Sequence, residues 1–397
     1  MSDIAVYKEQ MEKCSHCAFC QAFCPVFEAE LLETFMPRAR MEIARACLLE
    51  NTLERSARVA EVIDRCLLCG RCSKSCPGGV PVEAITAAAR SALYPHGKGG
   101  PLRRHMLRHF CQNRGLLGLH RQAANLASRR GWSPLPQVGE KLFAELYAGN
   151  WPSKNGTPRA RAVYFAGCAA NSLYTDTADA TLKVLTRNGI EVNVIKEMVC
   201  CGMPAYAAGD RELLLECIRK NVESLANADA DVILTECSTC GMFLKQKAPL
   251  LLPPDDPLAQ KAKELAPKIF EVTDYLSQVG LIAAPGRLEA RVTYHIPCHS
   301  AWTPTFDDAP NKLLAQIPGV EMVQMAEPNA CCGAGGSFFA DFADTAEKIL
   351  QKKMADMKNT KAEICVTQCP ACRTYIQSAA DAPETLHPIR LLAKSYE

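Results

Sequence analysis

Apolar and polar positions along this chain follow two different periods, and the change falls near residue 160. Between Cys24 and Cys66, the segment RARMEIARACLLENTLERSARVAEVIDRC places apolar residues three and four positions apart, the spacing of helices with one buried face. From residue 161 onward, short apolar runs such as AVYFAGC, DVILTEC, VTYHIPC and EICVTQC alternate with helical stretches. The pattern predicts an α+β multidomain chain with a helical first part and a later α/β part.

The α/β part contains an internal repeat. In each copy a single cysteine is followed by Cys-Cys-Gly and then by C-x2-C, and matching cysteines are offset by 130 to 132 residues. The first and last cysteines of each copy follow predicted strands, so we expect them at the carboxyl ends of an open sheet, where loops gather ligands. We therefore expect two pseudo-symmetric α/β modules that face each other. The first copy contains Cys168, Cys200, Cys201, Cys237 and Cys240, and the second contains Cys298, Cys331, Cys332, Cys369 and Cys372.

Stretches rich in glycine and proline separate these parts. They are PHGKGGP at 95–101, GWSPLPQ at 131–137 and WPSKNGTP at 151–158. We predict four regions: a helical domain at residues 1–95, a connector at 96–160, a first α/β module at 161–286 and a second at 287–397.

The connector contains a stretch of leucines and arginines that has two interpretations. It could be a helix lying on a membrane surface or on a partner, or a solvated helix packed on its own protein. Gly115 and Gly118 should interrupt the helix, which favours the second interpretation. The arginines concerned are Arg108, Arg114, Arg121, Arg129 and Arg130.

Composition excludes several classes of protein. The 45 basic and 43 acidic residues among 397 give a net charge of +2, which indicates no nucleic-acid partner. No apolar stretch reaches the roughly 18 residues needed to span a bilayer, and the first residues lack the apolar core of a signal peptide. We therefore expect a cytoplasmic protein, with peripheral attachment to the membrane left open. In a reducing compartment, 22 cysteines indicate metal binding rather than disulfides.

Two cysteine runs near the beginning of the chain have the spacing of paired iron–sulfur cubes. CSHCAFCQAFCP and CLLCGRCSKSCP both read C-x2-C-x2-C-x3-C-P, in which three thiolates hold one [4Fe-4S] cluster and the fourth binds the neighbouring cluster. We expect Pro25 and Pro77 to keep each run from continuing as helix. Zinc is the alternative, although it does not require this pattern. The predicted ligand sets are Cys14, Cys17, Cys20 and Cys76 for one cluster, and Cys66, Cys69, Cys72 and Cys24 for the other.

The repeated cysteines form a second set of predicted metal ligands. The five thiols of a copy are separated by 31 and 35 residues in the first copy and by 32 and 36 in the second. Adjacent cysteines point in different directions, so five thiolates suit a larger cluster better than a tetrahedral zinc. Gly202 and Gly333 should let the backbone approach the cluster closely. Zinc and a redox-active dithiol remain alternatives.

These motifs together resemble a known family. The helical domain is similar to the α-helical ferredoxin domain of the succinate dehydrogenase iron–sulfur subunit, and the repeat resembles the duplicated CCG motif of heterodisulfide-reductase catalytic subunits. The order of domains also resembles the iron–sulfur subunits of glycolate oxidase, of lactate dehydrogenases and of anaerobic glycerol-3-phosphate dehydrogenase. The resemblance implies one or two noncubane [4Fe-4S] clusters on the ten CCG cysteines. Both sets are complete here, so a catalytic role for them stays open.

Several residues remain outside these sets. We interpret the other cysteines as small buried apolar residues. His295 and His299 flank Cys298 and could tune a cluster or move a proton there, although hydrogen bonding in the structure is the simpler role. The remaining cysteines are Cys47, Cys111, Cys217 and Cys365.

The chain shows no nucleotide-binding fingerprint, because CCGAGGS at residue 331 does not fit G-x-G-x-x-G. Oxidation of an organic substrate would then take place in another subunit that holds FAD. The leading hypothesis is an electron-transfer subunit of a flavin-dependent glycolate or lactate dehydrogenase, which passes electrons to a quinone, a cytochrome or another carrier. The alternatives are a disulfide reductase acting at the CCG clusters and a relative of the glycerol-3-phosphate enzyme.

Overall fold

The computed structural model describes residues 4–94, 101–112, 118–129, 136–139, 141–300 and 308–397. It contains two compact units. The first consists of Met1–Leu107, Gly202–Leu215 and Ala330–Lys353, and the second of Arg108–Cys201, Glu216–Asn329 and Met354–Glu397. Each unit therefore combines three separate stretches of chain. The domain boundaries at residues 95, 160 and 286 stay a prediction.

The first unit is built mainly from α-helices and short 3-10 helices. Its α-helices are Lys8–Glu12, Pro25–Glu30, Pro37–Leu48, Ala57–Asp64, Arg71–Lys74, Val82–Ala92, Met203–Ala208 and Phe338–Asp341. Its 3-10 helices are Ile4–Tyr7, Phe19–Phe23 and Glu33–Phe35. Three further helices contain residues of both units: Pro101–Cys111, Arg211–Ala226 and Ala343–Asn359.

The segment between the two ferredoxin runs is helical, as predicted. Helix Pro37–Leu48 buries Met41 and Ala44, which lie one turn apart on the face that packs into the core. Helix Ala57–Asp64 begins after Ser56, whose hydroxyl accepts a hydrogen bond from the backbone N–H of Val59 at 3.3 Å. The apolar spacing in the sequence therefore specified both helices.

Arg65 joins the N-terminal helices to the last stretch of the first unit. Its guanidinium lies 4.8 Å from the ring centroid of Phe35 and 4.7 Å from that of Phe342. Its Nη1 also donates to Thr345 Oγ1 at 3.1 Å, and that hydroxyl donates to Glu30 at 2.6 Å. These contacts tie residues before 95 to residues after 330.

The prediction that Pro25 ends helical structure is wrong. Pro25 is the first residue of helix Pro25–Glu30, where its fixed φ suits the helix and its missing N–H would have had no partner within the helix. Pro77 stands in a turn, where the prediction holds. Proline therefore begins a helix after the first run and lies in a turn after the second.

The second unit contains two sheets. Their strands are β1 Gly149–Trp151, β2 Ala160–Tyr164, β3 Ile190–Val194, β4 Val232–Thr235, β5 Ile269–Glu271, β6 Ala290–Tyr294, β7 Val320–Met322, β8 Ile364–Val366 and β9 Glu384–Leu386. The first sheet has the order β1-β3-β2-β4-β5 and the second β7-β6-β8-β9. The strands pair in parallel except for β1 with β3, as expected when helices connect successive strands.

The two sheets confirm the predicted duplication of the α/β module. The strand order β3-β2-β4-β5 is repeated by β7-β6-β8-β9, so β2 and β6 occupy matching inner positions. One apolar core includes Val192 of the first sheet and Val292 of the second. Helices Thr175–Arg187 and Pro388–Lys394 also pack against each other. The modules therefore share a core within the second unit.

Helices lie between the strands, as the predicted alternation of strands with helical stretches requires, at Thr175–Arg187, Arg211–Ala226 and Ala343–Asn359. The other α-helices are Gly118–Arg129, Phe143–Tyr147, Gly167–Ser172, Ser238–Met242, Ala248–Leu251, Ala259–Leu265, Val272–Val279, Ala309–Leu314 and Pro370–Gln377. A π-helix at Phe243–Lys247 and a 3-10 helix at Ala266–Lys268 continue two of them.

The basic stretch of the connector forms two helices, Pro101–Cys111 and Gly118–Arg129. Gly118 is the first described residue of the second helix, while Arg114, Gly115 and Arg130 lie outside the described residues, so the predicted interruption stays a prediction. Within the described part of the chain, no helix combines the length and apolar character needed to cross a bilayer.

Candidate metal centres

The first group of ferredoxin cysteines brings the two runs together. Cys20 lies close to Cys14 of its own run and to Cys76 of the other run, both near enough for their charges to affect it. Burial is the main cause that raises the pKa of the Cys20 thiol, and negative charge on these two neighbours raises it further. Cys17 is exposed, and the backbone amide of Phe19 lowers its pKa. Thiols of both runs therefore meet in this group, and the assignment of the cluster ligands stays a prediction.

The second group repeats this arrangement with the runs exchanged. Cys72 is affected by charge on Cys69 and Cys66 of its own run and on Cys24 of the other. Burial is the largest cause that raises the pKa of Cys72, and it raises that of Cys69 to about 12. Without a metal these thiols would stay protonated. A cationic cluster that binds thiolates would offset the burial, so this donor set fits iron.

A buried arginine and backbone amides face the sulfur atoms of the second group. Arg40 is 1% exposed, and its Nη1 lies 3.9 Å from Cys24 Sγ as a hydrogen-bond donor. The backbone N–H of Phe27 donates to the same sulfur at 3.5 Å, and that of Leu68 donates to Cys66 Sγ at 3.4 Å. These donors stabilise a thiolate more than a thiol.

The loops of both runs turn through the left-handed region at matching positions. His16 and Ala18 have φ of 57° and 60°, and Leu68 and Gly70 have φ of 50° and 72°. Three of these four residues carry a side chain, for which such a φ costs on the order of 1 kcal/mol or more. Cluster binding by the cysteines of these loops would offset this cost.

The first CCG module brings its five thiols together inside the second unit, all of them buried. The thiol of Cys168 is in hydrogen-bonding contact with that of Cys200, and Cys240 with those of Cys201 and Cys237. The adjacent cysteines Cys200 and Cys201 therefore contact different partners. These thiol contacts and burial raise the pKa of Cys168 and Cys240, so this site also fits a metal that binds thiolates.

Glycines stand next to the cysteines of both copies. Gly202 and Gly333, each predicted to allow close approach at its own Cys-Cys-Gly motif, have φ of 107° and 89°. Gly167 was missed by the sequence reasoning: its φ is 59°, and a Cβ there would lie 3.1 Å from Cys240 Sγ. The signal was present, because the glycine directly precedes Cys168 in the apolar run AVYFAGC.

The cysteines of the second CCG module belong to different units. Cys298, Cys369 and Cys372 lie in the second unit, whereas Cys331 and Cys332 lie in the first. Cys298 and Cys331 are partly exposed, and the other three are buried. The backbone N–H of Gly333 donates to Cys331 Sγ at 3.3 Å.

The C-x2-C loops of the two modules lie side by side within the second unit. The backbone N–H of Ser238 donates to the carbonyl of Gln368 at 3.0 Å. Thr239 Oγ1 lies 3.8 Å from Cys369 Sγ and 3.0 Å from His299 Nδ1. His299 is buried and its ring contacts Thr239, as the structural interpretation expected. His295 is 1% exposed.

A buried polar network lies behind these loops, and the sequence reasoning missed it. Tyr164 Oη donates to Glu236 at 2.6 Å, and at the matching positions Tyr294 Oη donates to Gln368 at 2.6 Å. Gln368 Nε2 in turn donates to Glu271 at 2.9 Å. Burial raises the pKa of Glu236 to about 8. The signal was the residue directly before Cys237 and Cys369, which is Glu in one copy and Gln in the other.

The four remaining cysteines are all buried, as predicted. Cys47 lies in helix Pro37–Leu48 and Cys365 in strand β8, which agrees with an apolar role. For the other two this interpretation is incomplete, because the thiol of Cys111 is in hydrogen-bonding contact with those of Cys200 and Cys217.

Comparison with known proteins identifies both kinds of module. The cysteine-rich CCG domain matches residues 162–245 and 292–377, and the 4Fe-4S dicluster domain matches residues 10–80. The chain is 28% identical over 381 residues to the glycolate oxidase iron-sulfur subunit of Escherichia coli, covering 93% of this chain and 90% of that one.

Two further relatives have other names. One subunit of the fumarate reductase (CoM/CoB) of Methanothermobacter marburgensis is 28% identical over 375 residues, covering 94% of this chain and 69% of the relative. Lactate utilization protein A of Geobacillus kaustophilus is 30% identical over 203 residues, covering 51% of this chain and 84% of the relative.

These matches confirm the resemblance drawn from the motifs, with iron–sulfur clusters as cofactors and electron transfer as the activity. Zinc is thereby set aside for the ferredoxin runs. The chain belongs to the family of iron–sulfur proteins in which a 4Fe-4S dicluster domain precedes two cysteine-rich CCG domains.

Proposed function

We propose that this chain is the electron-transfer subunit of a flavin-dependent 2-hydroxy-acid dehydrogenase. A partner subunit with FAD would oxidise glycolate or lactate, and this chain would carry the electrons onward. Support comes from the E. coli glycolate oxidase relative, which aligns with the chain over nearly its whole length. We assign the eight ferredoxin cysteines as ligands of two [4Fe-4S] clusters and the ten CCG cysteines as ligands of noncubane clusters.

Contacts inside the first unit support a route between the ferredoxin cysteines and the second CCG motif. Bound iron–sulfur clusters supply one-electron carriers. Leu67 lies between Cys66 and Cys69 and is buried, and Gly335 follows Cys332 by three residues. A Cβ on Gly335 would overlap the Leu67 side chain, so the backbone of Gly335 packs directly against Leu67 and the two loops are in contact. This packing is the observation that carries the proposed role as a conductor.

In the second unit, the side-by-side C-x2-C loops support a second step of the route. Thr239 lies between Cys237 and Cys240 of the first module, and its hydroxyl reaches Cys369 of the second. A hydrogen-bonded link between these loops keeps Cys237 and Cys240 of the first module close to Cys369 of the second. We infer that electrons pass between the modules at this point.

An anaerobic purification of the chain from its native cell tests the proposal. The co-purifying material is assayed for FAD and for bleaching of the flavin by glycolate, lactate and glycerol 3-phosphate. A flavoprotein bleached by glycolate or lactate supports the proposal and identifies the substrate. Bleaching by glycerol 3-phosphate alone would replace it with the glycerol-3-phosphate alternative, and the absence of a flavoprotein would contradict both.

A second candidate function is reduction of a disulfide at the CCG clusters. Both cysteine sets are complete, and the partial exposure of Cys298 and Cys331 would let a substrate reach the second module. The balanced reaction takes two electrons and two protons to convert one disulfide into two thiols. If the purified chain alone reduces a mixed disulfide with a reduced viologen dye, catalysis belongs to these clusters.

The electron acceptor is the remaining part of the proposal, with a quinone, a cytochrome or another carrier as candidates. We propose that any attachment to the cytoplasmic face of the membrane is peripheral. Arg103 of the connector pairs with Asp341 at 2.6 Å, so at least this basic side chain has a role within its own unit. Flotation with anionic lipid vesicles at low and high salt measures the attachment, which salt should weaken.

A further inference from the structure

We propose that Cys111 and Cys217 are additional thiol ligands of the iron–sulfur group in the first CCG module. The inference rests on the proposed assignment of the five CCG cysteines as ligands. It extends that site to seven cysteines among the described residues: Cys111, Cys168, Cys200, Cys201, Cys217, Cys237 and Cys240.

The thiol contacts form one continuous chain. Cys111 contacts both Cys200 and Cys217, while Cys200 also contacts Cys168. Cys111 and Cys200 are 0% exposed, and Cys217 is 1% exposed. Cys200 therefore contacts one thiol of the CCG set and one thiol of the added pair. Converging buried thiols are the donors that soft metals such as iron prefer.

Two helices bring the added thiols to Cys200, and each also fixes the backbone there. Cys111 is the last residue of helix Pro101–Cys111, and its carbonyl accepts a hydrogen bond from the backbone N–H of Cys200 at 2.8 Å. In helix Arg211–Ala226, Asn221 Nδ2 donates to the carbonyl of Cys200 at 2.9 Å, and Cys217 lies one turn before it on the same face.

Asn221 also accepts a hydrogen bond from the backbone N–H of Val199 at 3.0 Å. Val199, directly before the Cys-Cys-Gly motif, and Cys200, the first residue of the motif, are thus both held by one buried amide. Asn221 therefore ties the loop that contains Cys200 to the helix that contains Cys217. A preorganised donor set of this kind suits a metal site.

Among the described residues, the second module has no counterpart of Cys217. Its matching helix, Ala343–Asn359, contains no cysteine. The repeat offset of 131 residues at the Cys-Cys-Gly motif places Lys348 opposite Cys217, and Lys348 pairs with Glu30 at 3.5 Å. The two iron–sulfur groups should therefore differ in their ligands, which gives the test a built-in comparison.

The test uses the full chain, assembled anaerobically with isotopically enriched iron and sulfide. Wild type and the variants Cys111→Ala, Cys217→Ala, Cys237→Ala and Cys365→Ala are compared by Mössbauer spectroscopy, by the electron paramagnetic resonance of the reduced protein and by iron content. Cys237→Ala marks the signal of the first module. Cys365→Ala is the matched control, because Cys365 is equally buried but lies in strand β8.

We expect Cys111→Ala and Cys217→Ala to lose or shift the signal that Cys237→Ala removes, while Cys365→Ala keeps the wild-type spectrum. Wild-type spectra and iron content in both variants, with a changed Cys237→Ala, would overturn the inference alone. An unchanged Cys237→Ala would instead overturn the CCG ligand assignment.

Two further measurements keep the outcome decisive. Circular dichroism establishes folding, and Cys111→Ser replaces Cys111→Ala if the alanine variant does not fold. A folded serine variant with the wild-type signal counts against the inference. Native mass spectrometry of the assembled wild type detects a Cys111–Cys217 disulfide as the loss of two hydrogens that a reductant restores, and this result would also overturn it.

Discussion

The two CCG modules repeat one pattern of five cysteines and have sheets of matching strand order, but the surroundings of the cysteines differ. The first buries all five thiols in one unit, and two more thiols lie beside them. In the second, Cys298 and Cys331 are partly exposed, and His295 and His299 flank the first cysteine. The same proposed ligand pattern is therefore present twice, whereas burial decides which site can meet a reagent from solution. This difference suits a conducting first module and an accessible second one.

The largest expected effect comes from removing the electron supply that both modules share. Cys69→Ser should disrupt the cluster of the second ferredoxin group and abolish electron flow to either module, since Leu67 and Gly335 pack beside it. Stopped-flow absorbance of the complex should still show the flavin reduced by substrate. Loss of flavin reduction in this variant would contradict the proposed division between subunits.

Substitutions at matching positions of the polar network should lower the free energy of unfolding by different amounts. Gln368→Leu removes hydrogen bonds to Tyr294 and Glu271 and leaves a buried carboxyl with fewer partners, so unfolding should become easier by about 3 kcal/mol. The matched variant Glu236→Leu mainly loses the bond from Tyr164 and should change it by about 1 kcal/mol. Urea titrations measure both. Equal losses would mean that the two positions are equivalent despite their different neighbours.

Gly167 offers a smaller change that is specific to the first module. In Gly167→Ala the alanine must adopt the left-handed backbone conformation, which costs about 1–2 kcal/mol of folding free energy. Its methyl group would also lie 3.1 Å from Cys240 Sγ. We expect lower stability and weaker iron retention in the first module only, measured by melting and by Mössbauer spectroscopy.

Gly336→Ala is the control for this substitution. Gly336 has φ of +66° and nothing within 4 Å of an added Cβ, so it carries the backbone cost without a sulfur contact. Iron loss of the same size in both variants would show that backbone strain, and not the contact with Cys240, is responsible.

The smallest expected difference is kinetic. A chelator should remove iron from the second module about tenfold faster than from the first. This ratio corresponds to a difference of about 1.4 kcal/mol between the modules in the free energy of local opening. The spectra of the two groups are followed with time in the assembled protein. Loss at one common rate would show that burial of the first five thiols gives no protection.

Much of this arrangement could be predicted from the sequence, because it depends on local periodicity and spacing. The helical segment around Met41 and the strands before Cys168 and Cys298 follow from apolar spacing. Three features depend on contacts distant in sequence and were missed: the thiol contacts of Cys111, the pairing of Gln368 with Glu271, and the assignment of Cys331 to a different unit from Cys298. The prediction for Pro25 was wrong because a proline ends a helix that precedes it but favours a helix in which it is the first residue.

The composition of the first unit has a consequence for synthesis on the ribosome. Arg65 and Glu30 are made early, but their partner Thr345 emerges only after most of the chain has been translated. The N-terminal ferredoxin helices therefore lack part of their packing while most of both α/β modules is translated. During that interval the cysteine loops would be more open to iron–sulfur delivery factors than in the finished protein, so translation order itself would favour loading before closure.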